Sequence, residues 1–214
     1  MLVVGLTGSI GMGKTTAATM LRRLGLPVHE ADAAVHRLMA RGGAAVDTVA
    51  AAFPGVDKDG AIDRGRLAAK VLGDPAALSR LEGILHPLVR AEAQAFLARQ
   101  ARQHRPLAVL DIPLLFETGG DALCDAVIVV SAPPAVQRAR VLARPGMTEA
   151  KLQAVLERQM PDAEKRRRAD FVVQTGLTKG HSLRQLTAIV TLLREEARRR
   201  RRRKSGNRPG KRHA

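Results

Sequence analysis

Eight consecutive residues near the start of the chain, Gly8-Ser9-Ile10-Gly11-Met12-Gly13-Lys14-Thr15, carry the densest chemistry in the sequence. Glycines at this spacing let backbone N–H groups turn inward around an anion. The helix that follows adds the partial positive charge of its N-terminus. The pattern G-x-x-x-x-G-K-[ST] is that of a phosphate-binding loop, or P-loop. Gly8, Gly11, Met12, Gly13, Lys14, Thr15 and Thr16 form the expected nucleotide-binding set. Within it Lys14 reaches the β- and γ-phosphates, Thr15 offers its hydroxyl to Mg²⁺ and Thr16 stands near the α-phosphate. A chance match at the four fixed positions is expected in roughly one per cent of chains of this length. The flanks argue against chance. Leu2 to Leu6 reads as a buried strand. Lys14 to Leu24 reads as a helix with Ala17, Ala18, Met20, Leu21 and Leu24 on one face and Gly25 as its stop.

Other acids and cations need elements to bring them to this loop. Leu26 to Glu30 reads as a second strand, and Asp32 just beyond it lies where a parallel sheet gathers its ligands. From position alone Asp32 is equally a base for an acceptor hydroxyl and an N-cap for a helix over Ala33 to Ala40. Leu107 to Asp111 is an apolar strand ending in an acid, the place from which Asp111 holds Mg²⁺ through water. Ile112-Pro113-Leu114-Leu115-Phe116-Glu117 continues it as an apolar wall with one carboxylate. Asp125 to Val130 and Ala169 to Gln174 complete five strands. Between them, a helix bearing Arg138, Arg140 and Arg144, a break at Pro145-Gly146, and a second helix from Thr148 to Met160 have the form of a closing lid. Its arginines would neutralise a transferring phosphoryl group, or equally form a solvated basic face, as most arginine runs do.

Residues 33–105 read as entirely helical, with a turn at Asp57 to Gly60 and a long helix starting at His86-Pro87 and running to about Gln103. That is more than one crossover requires and marks an inserted subdomain. The expected architecture is an α/β, P-loop NTPase-like, doubly wound parallel sheet of five strands. One domain would span 1–197, with its core in 1–32 and 106–197, the helical insertion at about 33–105 and the lid at about 138–160.

Composition bounds the rest. The net charge is +16, but ten of those positive charges lie after residue 197, where there is no acid, leaving a body of +6. Residues 198–214 have almost no apolar side chains and read as a disordered basic tail. The absence of Trp and Tyr, with only four Phe, leaves little for stacking on nucleic-acid bases. The tail therefore reads as a solvated extension in preference to an RNA- or lipid-binding arm. One cysteine, Cys124, excludes an internal disulfide or a thiolate metal site. No apolar run reaches membrane-spanning length and the first residues read as a strand, so the expectation is a cytoplasmic protein, a monomer or weak oligomer, without a membrane partner.

The chain resembles the dephospho-CoA kinase family from the first strand to about residue 193. The resemblance rests on Gly5 through Thr16, Asp32, Gly60-Ala61-Ile62-Asp63-Arg64 and Leu85-His86-Pro87-Leu88. It continues through Asp111 to Glu117, Arg140 and Arg144, Gln159 and Ala169-Asp170. It implies transfer of the ATP γ-phosphate, with Mg²⁺, to the ribose 3′-hydroxyl of dephospho-CoA. It further implies that Asp32 orients or deprotonates the acceptor, that the insertion holds the CoA side, and that Arg144 is the lid arginine, with Arg140 sharing or replacing its role. Lys14 completes the implied catalytic set, and His86, Pro113, Leu114, Leu115 and Glu117 would line the acceptor site. Other P-loop small-molecule kinases and a nucleic-acid-stimulated NTPase are the alternatives. Four positions depart from the family: Ser9 replaces a glycine, Met12 a serine, Pro145 an acid and Thr175 an asparagine.

Overall fold

The computed structural model describes residues 1–206. In chain order its first half holds β1 (Leu2–Thr7), α1 (Lys14–Arg23), β2 (Val28–Glu30), α2 (Ala31–Met39), α3 (Val46–Ala52), β3 (Asp57–Lys58), β4 (Ala61–Ile62), α4 (Arg64–Val71) and α5 (Pro75–Arg102). The second half holds β5 (Leu107–Asp111), a 3₁₀ turn (Gly120–Leu123), β6 (Ala126–Ser131), α6 (Pro134–Leu142), α7 (Glu149–Glu157), α8 (Asp162–Arg168), β7 (Phe171–Gln174) and α9 (Lys179–Gly206). The strand order of the main sheet is β2-β5-β1-β6-β7. β1 pairs in parallel with β5 and β6, and β6 in parallel with β7. β5 and β6 are buried along their whole length, which is why they read as unbroken apolar runs. Parallel pairing puts the C-terminal ends of β1, β5, β6 and β7 at one edge, so the loop after β1 emerges between Asp111 and Ser131.

The chain divides into two compact units. One holds Met1–His29 with the residues from Gln100 onward, and the other holds Glu30–Arg99. In the first, Ala17, Ala18, Met20 and Leu21 of α1 join Leu186, Ile189, Val190 and Leu193 of α9 in one core with the inner strands. In the second, Leu38, Val46, Val49, Phe53, Val56, Ile62, Leu67, Leu81 and Leu85 form a separate core.

Three expectations need correction. The insertion is not wholly helical, because β3 and β4 pair as an antiparallel hairpin. Asp59 (φ 55°) and Gly60 (φ 75°) between them adopt the left-handed pair that closes a two-residue turn. The long helix does not begin at His86-Pro87, for α5 spans Pro75–Arg102 with Pro87 inside it. Pro87 removes the N–H that would bond the Gly83 carbonyl, but both residues are exposed, so water can take that carbonyl. Meanwhile Ala77, Leu81, Leu85, Ala93 and Phe96 are buried and carry the helix through. The basic tail is helical over its first part, since α9 extends to Gly206. Arginine is a good helix former, and Arg200 ties this extension to Glu196 (3.0 Å) and to Asp125 of the core (2.7 Å). The rest of that expectation, 207–214, lies outside the described residues.

Candidate active site

The loop is shaped by contacts that its sequence does not show. Gly8 lies against β6 so closely that a Cβ there would come within 2.7 Å of the Val130 carbonyl oxygen. Gly13, at φ 87°, turns the chain into α1 and supplies its N-cap. Met12 is buried at 2% exposure, with its sulfur accepting the Ala132 N–H at 3.0 Å. Its own N–H bonds the Ser9 carbonyl at 3.1 Å, and its carbonyl accepts the Thr175 hydroxyl at 2.7 Å. The Met12 side chain therefore supports the loop from behind. The serine common at this position would leave that core volume unfilled. Ser9 is buried and its carbonyl closes the same turn, so the departure from glycine is accommodated.

Lys14 and Asp111 form an ion pair at 2.7 Å, with Asp111 4% exposed. The pair joins the loop to the end of β5 and holds the ammonium at the C-terminal edge of the sheet. Thr15 and Thr16 open α1 with exposed side chains. The Thr15 hydroxyl and Asp111 carboxylate are hard oxygen donors of the kind Mg²⁺ takes. Among the described residues no cluster of three or more His, Cys, Asp or Glu forms a metal cage. Such a donor set fits a cation that completes its shell with phosphate and water.

The three arginines of α6 and the turn after it go separate ways. Arg138 bridges from α6 to Glu149 of α7 with contacts of 2.8–3.0 Å. Arg140 is pinned at the loop, donating to the Thr175 carbonyl at 2.6 Å, the Thr175 hydroxyl at 3.3 Å and the Gly11 carbonyl at 3.4 Å. Arg144 is exposed and its guanidinium has no partner among the described residues. The turn beyond it accommodates Pro145, with Gly146 at φ 73° and the Lys151 ammonium on the Gly146 carbonyl at 2.6 Å. Thr175, left unassigned by sequence, is a hub joining β6, the loop and Arg140. Its N–H bonds the Ser131 carbonyl at 2.8 Å.

The segment that follows β5 is mixed in exposure. Pro113 and Leu114 are partly exposed. Leu115 is fully buried among Phe116, Val127 and Val129, so it packs and has no surface with which to touch a substrate. The Pro113 carbonyl accepts the Thr7 hydroxyl at 2.9 Å. Glu117 holds the Lys165 ammonium at 2.8 Å, and the same oxygen, Oε1, accepts the Met160 N–H at 2.8 Å. Lys165 is completely buried. Burial pushes the Glu117 carboxyl up, but the bonds from Lys165 and Met160 outweigh it and hold it below its ordinary value. Its other oxygen is buried without a partner. This arrangement makes Glu117 an anchor for the chain just after α7.

Asp32 and His86 belong to the Glu30–Arg99 unit. Asp32 is exposed in the first turn of α2, whose N-cap is Glu30, so it is not the capping residue. It has no side-chain partner among the described residues. His86 is likewise exposed, in the middle of α5. Two signature residues prove structural. Asp63 caps α4 through the N–H groups of Gly65 and Arg66, and Asp170 accepts the Val127 N–H at 2.7 Å. Sequence reasoning named Gln159 without a role and missed Gln137 and Lys165, whose partners are all distant in the chain.

The sequence profile of the dephospho-CoA kinase family matches residues 2–179. The dephospho-CoA kinase of Paramagnetospirillum magneticum is 65% identical over 194 residues, covering 91% of this chain and 92% of its own. That of Mesorhizobium japonicum is 58% identical over 194 residues, covering 91% and 98%. Among solved structures, TT1252 from Thermus thermophilus superposes with a TM-score of 0.76 at 36% identity, over 90% of this chain and 97% of its own. The dephospho-CoA kinase from Campylobacter jejuni shares the fold with a TM-score of 0.63 at 22% identity, over 89% and 96%.

Proposed function

This chain belongs to the dephospho-CoA kinase family and phosphorylates dephospho-CoA in the final step of coenzyme A biosynthesis, and we propose how its residues carry out that transfer. The reading rests on one observation above all: a P-loop lysine held by a strand-end aspartate within a family-wide sequence match. ATP is the phosphoryl donor, and the acceptor is the ribose 3′-hydroxyl.

Lys14 bears on the β- and γ-phosphates, exchanging part of its bond to Asp111 for theirs. Thr15 and Asp111 would hold Mg²⁺, which when bound would supply charge neutralisation at the leaving group. Asp32 accepts the hydrogen bond of the 3′-hydroxyl and takes its proton as the bond to phosphorus forms. Its exposed carboxylate, unengaged among the described residues, supports that role. Arg144 delivers a guanidinium to the equatorial oxygens of the transferring group, and its lack of a partner favours it over the pinned Arg140 for a moving contact. Arg140 acts as a fixed brace of the loop. His86, Pro113 and Leu114 face the acceptor, and residues 138–160 close as the lid. Glu30–Arg99 forms the CoA-side unit. No helix among the described residues is long and apolar enough to cross a membrane. As a separate part of the proposal, we take the enzyme to work in the cytoplasm as a monomer or weak oligomer.

The test is product analysis after incubation with ATP, Mg²⁺ and dephospho-CoA, beside nucleosides and nucleoside monophosphates as competing acceptors. Coenzyme A and ADP in equal amounts are expected. Faster phosphorylation of a nucleoside would overturn the assignment.

A further inference from the structure

We infer that Gln137 and Gln159 are positioning residues of the nucleotide site, and that they grip the tip of the phosphate loop at Ile10 from the two ends of the lid. The Ile10 carbonyl accepts Gln137 Nε2 at 2.8 Å, and the Ile10 N–H donates to Gln159 Oε1 at 3.0 Å. Gln137 lies on α6 and is buried at 7% exposure; Gln159 follows α7 and is partly buried. Both backbone polar groups of one loop residue are thus taken by lid side chains.

Each grip is itself anchored. The Gln137 backbone lies so close to Gly11 that a Cβ there would come within 3.0 Å of its carbonyl oxygen. Gln159 precedes Met160, whose N–H is fixed by Glu117, and Glu117 is fixed by the buried Lys165. A lid displacement that moves either glutamine pulls on Ile10. From there it reaches the left-handed glycines Gly11 (φ 77°) and Gly13 (φ 87°), whose conformations aim the following N–H groups.

The amide is the chemistry that this joint requires. One side chain must donate and the other accept, and neither should bring a charge beside a polyphosphate. Phosphate binding is thereby felt at both ends of the lid, and lid closure sets the loop. The inference depends on the lid reading given above for its motion, but not for the loop contacts.

The polarity of the two bonds supplies a test that charge alone does not mimic. Gln137→Met and Gln159→Met should each raise KM for ATP about fivefold, as for one lost hydrogen bond, with kcat for the saturated enzyme changed less than twofold. Gln137→Lys keeps a donor and Gln159→Glu keeps an acceptor, so both should recover most of the ATP affinity. Gln137→Glu and Gln159→Lys reverse the polarity and should be worse than methionine. If lysine is better than glutamate at both positions, only charge toward ATP matters and the positioning role is refuted. If all six variants bind ATP as wild type does, it is refuted too.

Hydrogen exchange across residues 143–152 reads the coupling. Saturating ATP should slow it in wild type and fail to do so in the Gln137→Met/Gln159→Met enzyme. Full protection in that double variant overturns the coupling. Absence of ATP protection in wild type rejects the lid reading instead, while the polarity pattern in KM stands on its own. Melting temperatures of every variant, within about 3 °C of wild type, exclude general unfolding as the cause.

Discussion

Lys165→Met should destabilise this protein more than any other single change on its surface-facing helices, and should do so in a pH-dependent way. Lys165 has no exposure at all, and its one ion pair is to Glu117 at 2.8 Å, whose side chain is 17% exposed. Removing the cation leaves a mostly buried carboxylate held by backbone N–H groups alone, chiefly that of Met160. Breaking a buried pair by removing one partner costs about 3–5 kcal/mol. Because Glu117 keeps some contact with water and its backbone hydrogen bonds, the lower end, about 3 kcal/mol, is the expected value. For a chain of this length that corresponds to a fall in Tm of about 6–12 °C.

The pH dependence has a definite sign. In the wild type the folded carboxyl titrates below its ordinary value of 4.5, so its contribution is present above that pH and lost as the pH falls through the folded value. In the variant the lowering by Lys165 is gone, so burial, still opposed by the backbone N–H groups, lifts the carboxyl relative to wild type and protonation relieves part of the strain. The gap in Tm between the two proteins should be widest near neutrality and should shrink below about pH 5. Lys165→Met/Glu117→Gln should recover about half of the loss or more at neutral pH, since the amide oxygen can still accept the Met160 N–H. The assay is thermal unfolding followed by circular dichroism between about pH 4 and 8. A Lys165→Met protein that melts within about 2 °C of wild type at neutral pH, or a gap that stays constant on acidification, refutes the reasoning.

Asp32→Asn should lower kcat about a hundredfold or more with Tm unchanged, because the exposed carboxylate supports no contact; a shifted Tm with normal turnover would give Asp32 back to structure. Arg144→Ala should cost about 4 kcal/mol in barrier with little change in ATP affinity, whereas Arg140→Ala should chiefly raise KM for ATP by releasing Thr175 and Gly11. Steady-state kinetics of both variants decide between them, and a silent Arg144→Ala removes it from the reaction. Deleting 198–214 removes the Arg200 ion pairs to Glu196 and Asp125, which are exposed, so solvent screens them and their loss should leave stability little changed. The truncated enzyme should keep its kcat, and a large fall in kcat/KM at moderate salt would reveal electrostatic steering of the anionic substrates.

The phosphate loop was legible because its chemistry is contiguous: the glycines, Lys14 and Thr15 act through a backbone that follows them residue by residue. The five strands were legible because burial on both faces leaves apolar runs such as Leu107 to Leu110 that no surface element would carry. Alternation of those strands with helices then permits few topologies. The hairpin at β3 and β4 escaped notice because two-residue strands have no periodicity, although the turn between them was marked by Asp59-Gly60.

What only tertiary structure decided are the pairings between distant segments. A proline as a helix breaker is a local rule, and in α5 it yields to a buried apolar face extending past Pro87 on both sides. Lack of apolar residues after Ala197 is a composition rule, and it yields to a helix already nucleated by packing that need only propagate through good helix formers. The strand order β2-β5-β1-β6-β7 sets segments far apart in the chain side by side, and the residues that hold the loop come from those segments: Gln137, Gln159 and Thr175 on Ile10 and Met12, Asp111 on Lys14. The types of these residues are written in the sequence. Their partners are not, since a glutamine carries the same amide whether it meets water or the one backbone group at the tip of a phosphate loop, and only the fold chooses between them.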